Sequence, residues 1–200
     1  MKILSIECSA SPVSAAITED GKILAYSFQN VKITHSQTLL PTVENLLKAA
    51  KLTLSDIDGI SVAAGPGSFT GIRIGISAVK GLAQANNIPV VAVSTLLSMA
   101  YNFTDFDNTI ICACMDARCN QVYNALFEIK NGSVQRLLED RAISIDLLSD
   151  ELSKIDKNII ICGDGADLVF EAVNKQKNIK TAKYENYIDK ISNMRGVNTG

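Results

Sequence analysis

The sequence has only one histidine, His35, among its 200 residues. A stable divalent metal site needs three or four protein ligands, and histidine supplies most of them in metallohydrolases. The lone histidine therefore excludes HExxH, zinc-finger and multi-histidine sites. We interpret His35 as a polar residue at the start of a helix, and we predict no bound metal and no cofactor.

Cysteine is scarce, and its number is odd. Five scattered cysteines are typical of reduced thiols and not of a disulfide framework, which indicates the cytosol. Cys112, Cys114 and Cys119 lack the CxxC spacing of a metal site. Because cysteine is among the most buried residue types, we interpret all three as buried structural thiols.

An excess of basic residues is also missing, with 19 Lys and Arg against 21 Asp and Glu and a net charge of −2. Because the chain lacks an excess of basic residues, we do not expect it to bind RNA tightly on its own. No apolar run approaches the roughly 18 residues that a membrane span needs. The first residues, MKILSIECSA, are interrupted by Glu7 and predict a strand instead of a signal peptide. We expect a cytoplasmic protein without membrane contact.

The two halves of the chain repeat the same order of predicted strands and helices. Each half has a strand meander whose first strand ends near an acid, Glu7 or Asp116. A helix and a buried strand follow, and the strand leads to Gly-x-Gly, at 65–67 or 163–165, and to another helix. This order predicts a duplicated α/β unit.

Two helices of the first half carry more apolar surface than one sheet needs. The first follows Ser36, and Pro41 either kinks this helix or marks its true start. The second, from Gly71 to about Asn86, is apolar around most of its girth. Such a helix is buried on two sides, by a second layer or by a partner protein.

The glycine-rich loop at 65–71 joins a strand to the second of these helices. This arrangement presents backbone N–H groups and the positive end of a helix dipole, which favours an anion. The Walker pattern fails because no Lys-Ser/Thr follows, and Thr70 stands where the Rossmann fingerprint has its third glycine. The glycines therefore serve either an anion or tight turning and close helix packing, and the loop alone does not decide between them.

Three stretches carry a resemblance to a known family: HSQTLLPTVENLL, GPGSFTGIRIGISAVKGLAQANNIPVVAVSTL and MDARCNQVYNALF. They resemble the bacterial TsaB/YeaZ family of tRNA threonylcarbamoyladenosine biosynthesis proteins over about residues 1–128, and GDGA at 163–166 agrees. The resemblance implies an actin-like (ASKHA) tandem of two ribonuclease-H-like units, at 1–103 and 104–200. We expect the second unit to be the smaller one, and the polar stretch 194–200 suggests a shortened chain.

The resemblance also implies a role as the non-catalytic partner of TsaD, in the complex that makes N6-threonylcarbamoyladenosine at position 37 of ANN-decoding tRNAs. TsaE, an ATPase, would dock on the pair, tRNA would be reached only through the complex, and the chain alone would pair with a second copy. The alternatives are a nucleotide-dependent phosphotransferase of the same fold and a glycoprotease-like hydrolase. No catalytic residue is predicted.

Two sets of site residues follow from the resemblance. The partner-binding face is expected to comprise Leu39, Leu40, Val43, Leu47, Ile72, Gly75, Ile76, Ala78, Val79 and Leu82. Vestigial nucleotide loops are expected at Glu7, Ser9, Gly65, Gly67, Ser68, Asp116, Gly163 and Gly165. Glu7-Cys8-Ser9 replaces the family's Asp-Thr-Ser, which weakens any Mg²⁺ or phosphate role there. We expect a charge at Leu39 or Val43 to abolish pairing while leaving the monomer folded.

Overall fold

The computed structural model describes residues 1–31, 34–175 and 181–183. The chain divides into two compact units, Met1–Thr95 and Leu96–Gly200. The division expected after residue 103 falls inside the second of these units. The stretch 194–200, on which the expectation of a shortened chain rests, lies outside the described residues.

The first unit is one mixed sheet with two long helices. Its elements are β1 (Lys2–Glu7), β2 (Val13–Glu19), β3 (Lys22–Gln29), α1 (His35–Ala49), a 3₁₀ turn (Leu54–Asp56), β4 (Gly59–Ala63), α2 (Phe69–Asn86) and β5 (Val90–Val93). The strand order is β3-β2-β1-β4-β5. β1 to β3 form the antiparallel meander, and β1, β4 and β5 run parallel.

The second unit repeats this topology. Its elements are α3 (Thr95–Ala100), which begins at the boundary, a 3₁₀ turn (Tyr101–Phe103), β6 (Thr109–Arg118), β7 (Gln121–Lys130), β8 (Ser133–Ser144), α4 (Ile145–Leu152), β9 (Ile159–Cys162), α5 (Ala166–Lys175) and β10 (Thr181–Lys183). The order β10-β9-β6-β7-β8 is that of the first sheet when β6 is matched to β1. The predicted duplication of an α/β unit is therefore confirmed.

Helix α1 starts at His35, so the alternative start at Pro41 is wrong. The proline lies inside the helix, where it removes one backbone hydrogen bond. Packing compensates, because α1 buries Leu39 and Val43 in the core of the first unit, with only 1% and 2% of their surfaces exposed. Most helical stability comes from burial of such a face and not from local propensity.

Helix α2 turns a face rich in small residues toward the sheet. The fully buried positions are Gly71, Gly75, Val79 and Ala83, which recur every four residues. A Cβ added at Gly75 would lie 3.4 Å from Cys8 Cβ, at the end of β1. The helix can therefore approach the strand closely, and its larger residues Ile72 and Ile76 stay half-buried at its sides.

All five cysteines are free, as expected, and four of them are buried. The interpretation of Cys119 as a buried thiol was wrong, because it is exposed in the tight turn between β6 and β7. Cys119 and Asn120 both have positive φ, 50° and 59°, as a two-residue type I′ hairpin turn requires. The usual Asn-Gly signal for this turn is missing from the sequence.

In the ranges that the structure describes, no helix combines the length and the apolar character needed to cross a membrane.

Candidate functional site

The glycine-rich loop lies directly on the end of β1. Ser68 N donates a hydrogen bond to Ser9 O at 2.6 Å. A Cβ added at Gly67 would overlap Ser9 O, and one added at Gly71 would overlap Cys8 O. Gly67 also has a φ of +152°, which L side chains rarely adopt. These two glycines are therefore required by close packing of backbone on backbone.

The first turn of α2 is capped by its own loop. Ser68 Oγ accepts a hydrogen bond from Gly71 N at 3.2 Å, which satisfies one of the free N–H groups of the helix start. Packing and capping together account for Gly67, Ser68 and Gly71. This supports the packing interpretation of the loop over the anion-binding one.

Glu7 ends β1 in a partly buried position, where its Oε1 accepts a hydrogen bond from Ser9 N. Burial raises the pKa of the Glu7 carboxyl, while the hydrogen bonds from Ser9 and the electrostatic attraction of the nearby His35 oppose this shift. His35 Nε2 lies 2.9 Å from Ala10 O and ties the start of α1 to the loop after β1. His35 is thus engaged in a structural contact.

The raised pKa of Glu7 predicts a pH-dependent contribution to stability. A carboxyl whose folded pKa lies above its unfolded pKa stabilises the fold below the unfolded value, and this contribution is lost as the pH rises through the folded value. We therefore expect Glu7→Gln to flatten the decline in the free energy of unfolding as the pH rises above the ordinary carboxyl pKa of about 4.3. Urea unfolding at a series of pH values measures this.

Glu44→Gln is the matched control, because the hydrogen bond from Lys48 lowers the pKa of the exposed Glu44 carboxyl. Its contribution has the opposite sign, since it is present above the unfolded pKa and lost as the pH falls. Identical pH profiles for the wild type and Glu7→Gln would show that burial of Glu7 does not perturb its titration.

The second unit has the same arrangement at the end of β6. A Cβ added at Gly163, whose φ is +101°, would overlap Cys114 O, and Gly165 N donates to Cys114 O at 3.2 Å. Asp116 N donates to Asp164 Oδ1 at 3.2 Å. Burial, with help from the charge of Asp116, raises the pKa of Asp164. Both Gly-x-Gly loops thus lie against the first strand of their own unit.

Asp116 itself is paired within its own hairpin. Arg118 Nη1 lies 3.2 Å from Asp116 Oδ2, and Arg118 N donates to Asp116 Oδ1 at 2.8 Å. In the described part of the chain, no three His, Cys, Asp or Glu side chains come close enough to hold a metal ion.

An open groove runs between α1 and α2. Its volume is about 590 Å³. Apolar side chains line it, joined by polar ones: His35, Ser36, Leu39, Leu40, Phe69, Thr70, Arg73, Ile74, Ser77 and Ala78. Leu40 and Phe69 expose 49% and 69% of their surfaces. Large apolar side chains exposed together mark an interaction site.

Known proteins are similar to this chain along most of its length. TsaB of Bacillus subtilis (strain 168), a tRNA threonylcarbamoyladenosine biosynthesis protein, is 33% identical over 84% of this chain and 73% of its own. TsaB of Escherichia coli (strain K12) is 31% identical over 82% of this chain and 72% of its own. The chain belongs to the TsaB family. This is a family of tRNA threonylcarbamoyladenosine biosynthesis proteins, and the resemblance noted from the sequence motifs is confirmed.

The chain is also similar to the transferase TsaD. The family model of TsaD, tRNA N6-adenosine threonylcarbamoyltransferase, matches residues 12–190. The transferase of Treponema denticola is 32% identical, but over only 50% of this chain and 35% of its own.

Solved structures share this α/β fold. A Pseudomonas aeruginosa protein with similarity to peptidase YeaZ matches with a TM-score of 0.76 at 23% identity, covering 100% of this chain and 94% of its own. YeaZ from Pseudomonas aeruginosa matches with a TM-score of 0.68 at 24% identity, covering 87% and 91%.

The residues expected at the partner-binding face of this TsaB protein differ widely in accessibility. One of them, Leu40, is exposed. Five are half-buried: Leu47, Ile72, Ile76, Ala78 and Leu82. Four are buried in their own unit: Leu39, Val43, Gly75 and Val79. The expectation that a charge at Leu39 or Val43 would leave the monomer folded is corrected, because both side chains belong to the core. Only the accessible members can meet a partner without rearrangement.

The predicted partner-binding face left out seven of the ten groove residues, among them Phe69, Arg73 and Ile74. Phe69 is the first residue of α2 and follows the capping serine directly. A large aromatic residue in an exposed first turn, inside a loop of small residues, was the available signal. Arg73 is four residues further on, which places it beside Phe69 on the same helix face.

Proposed function

We propose that this protein is the non-catalytic scaffold subunit of the complex that makes N6-threonylcarbamoyladenosine at position 37 of ANN-decoding tRNAs. It pairs with a TsaD-like catalytic subunit and helps to recruit a TsaE-like ATPase. It reaches tRNA only through the complex and acts in the cytoplasm. Membership of the TsaB family and the match to the TsaD family model support this assignment.

The observation that carries the proposal is the open groove between α1 and α2. Its rim presents Leu40 from α1 and Phe69 from α2 to solvent. Burying apolar surface contributes about 25 cal/mol per Å², so covering these side chains stabilises a complex. Two helices with an apolar outer side fit a second pair of helices, as in a four-helix bundle. The TsaD-like subunit supplies that pair, and a second copy of this chain substitutes for it when the partner is missing.

The candidate catalytic residues near the ends of β1 and β6 support a scaffold role, because each has a structural contact. His35 contacts Ala10 O, and Asp116 is paired with Arg118. Gly67 and Gly163 lie so close to the backbone oxygens of Ser9 and Cys114 that a side chain would not fit. These residues therefore have structural roles within their own units. The catalytic groups of the complex come from the TsaD-like subunit.

Leu40→Glu tests the groove. We expect the variant to fold normally, because Leu40 is half exposed, and to bind the TsaD-like subunit about a hundredfold more weakly, as loss of a central interface anchor does. Isothermal titration calorimetry measures the affinity, and the melting temperature reports the fold. Modification of tRNA by the reconstituted complex should fall in parallel.

Leu24→Glu is the matched control, since Leu24 is a leucine of β3 with 44% of its surface exposed, in the same unit but outside the groove. It should bind the partner like the wild type. Unchanged binding by Leu40→Glu would place the interface elsewhere and overturn the assignment of the groove.

A further inference from the structure

Arg73 is the charged residue of the groove, and its position is set by an aromatic ring. Its guanidinium carbon lies 3.7 Å from the centroid of the Phe69 ring. The side chain is exposed, and it forms no ion pair with any carboxylate of the described residues. The arginine therefore lies against Phe69 without a counter-charge.

The two helices of the groove carry no acid that could serve as this counter-charge. Helix α2 contains Arg73 and Lys80 but no Asp or Glu. The single acid of α1, Glu44, is paired with Lys48 at 2.6 Å and does not line the groove. The groove thus holds one unpaired cation, Arg73, among apolar and polar side chains.

A guanidinium stacked on a ring keeps its N–H edge free. Arginine has five donors in a planar fork that matches a carboxylate in a bidentate pair. An arginine side chain loses rotamer freedom when it is ordered, and stacking on Phe69 reduces the freedom that is left to lose on binding. The stacked arginine is therefore preorganised for an anionic group that enters beside Phe69.

We propose that Arg73 determines the specificity of the groove by selecting a partner helix that places a carboxylate beside Phe69. This inference rests on the proposed function, because it takes the TsaD-like subunit as the occupant. It adds the chemistry of recognition: an apolar side chain enters between Leu40 and Ile74, and an Asp or Glu of the partner pairs with Arg73.

The same charge disfavours a second copy of this chain. In a symmetric pair the same surface meets itself, so the groove of one copy faces the groove of the other. None of the groove residues is acidic, so Arg73 would find no carboxylate among the groove residues of a second copy. Self-pairing of the grooves then lacks an ion pair at Arg73, whereas an acidic partner adds a charge-assisted hydrogen bond. Arg73 therefore favours the unlike partner.

The test uses the full chain and the tRNA N6-adenosine threonylcarbamoyltransferase of the same genome. We expect Arg73→Ala to weaken binding about tenfold and Arg73→Glu about a hundredfold, with unchanged melting temperatures. The wild-type dissociation constant should rise with NaCl concentration, and Arg73→Ala should flatten this dependence. Self-association of Arg73→Ala, measured by sedimentation equilibrium, should not weaken.

Lys22→Glu is the control for net charge, because Lys22 is an exposed cation of β3 outside the groove. If Arg73→Glu binds as tightly as the wild type while Leu40→Glu does not bind, the proposed function survives and the role of Arg73 is overturned. If the wild type itself does not bind the transferase, both are overturned. If Arg73→Glu leaves assembly intact but the complex no longer binds tRNA, Arg73 contacts phosphate and the carboxylate proposal is wrong.

Discussion

Gly71→Ala should destabilise the first unit by about 3 kcal/mol, the upper end of the cost of overpacking. The added methyl group would overlap Cys8 O, which is a backbone atom at the end of β1. A side chain could rotate away, but the strand cannot move without disturbing its pairs with β2 and β4. The alternative is that α2 moves outward and uncovers Val79 and Ala83. The free energy of unfolding in urea measures the loss.

Gly81→Ala in the same helix is the matched control. A Cβ at Gly81 would meet nothing within 4 Å, and the residue is exposed. Glycine in a helix interior is destabilising by about 0.5 to 1 kcal/mol relative to alanine, so this substitution should stabilise the protein by a similar amount. The two substitutions are chemically identical and should have opposite signs. A loss of stability in neither variant would show that α2 does not lie as close to β1 as described.

The repeated α/β order could be predicted from the sequence because each element has its own local signal. Buried strands are short apolar runs, hairpins have Asp20-Gly21 and Asn131-Gly132, and the helices have apolar residues at helical spacing. Strand β10 has none of these signals. Its residues, Thr181–Lys183, are recognisable only by their parallel pairing with β9. Three residues are too few to show the alternation of apolar and polar residues that predicts a strand, and pairing with a distant segment cannot be recognised from the sequence.

The predicted partner-binding face comprises ten residues of two helices, and the structure leaves only some of them accessible. Periodicity cannot choose the buried side of α2, because apolar residues surround most of it. The choice is made by size, since Gly71 and Gly75 allow contact with β1 and isoleucine at the same positions would not. The Phe69 and Arg73 pair was missed because its two members belong to different patterns, a glycine-rich loop and a polar helix stripe.

Leu39 and Leu40 are adjacent in sequence and should respond to the same substitution in opposite ways. Leu39 exposes 1% of its surface and packs in the core with Val43 and Leu46, whereas Leu40 exposes 49%. An unpaired carboxylate in an apolar core costs several kcal/mol, and a typical domain has only about 5 to 15 kcal/mol of stability. We expect Leu39→Glu to lower the free energy of unfolding by about 4 kcal/mol or more and to leave little folded protein at 37 °C.

Leu39→Ala keeps this prediction measurable if the glutamate variant does not fold at all. Truncation of a buried leucine costs about 2 to 5 kcal/mol, which leaves a protein whose urea transition can still be recorded. Leu40→Ala should cost less than about 1 kcal/mol, because the side chain is half in solvent already. The ratio of the two losses reports how α1 is rotated on the sheet. Equal losses would mean that the helix buries a different face, and that the groove between α1 and α2 is not lined by Leu40.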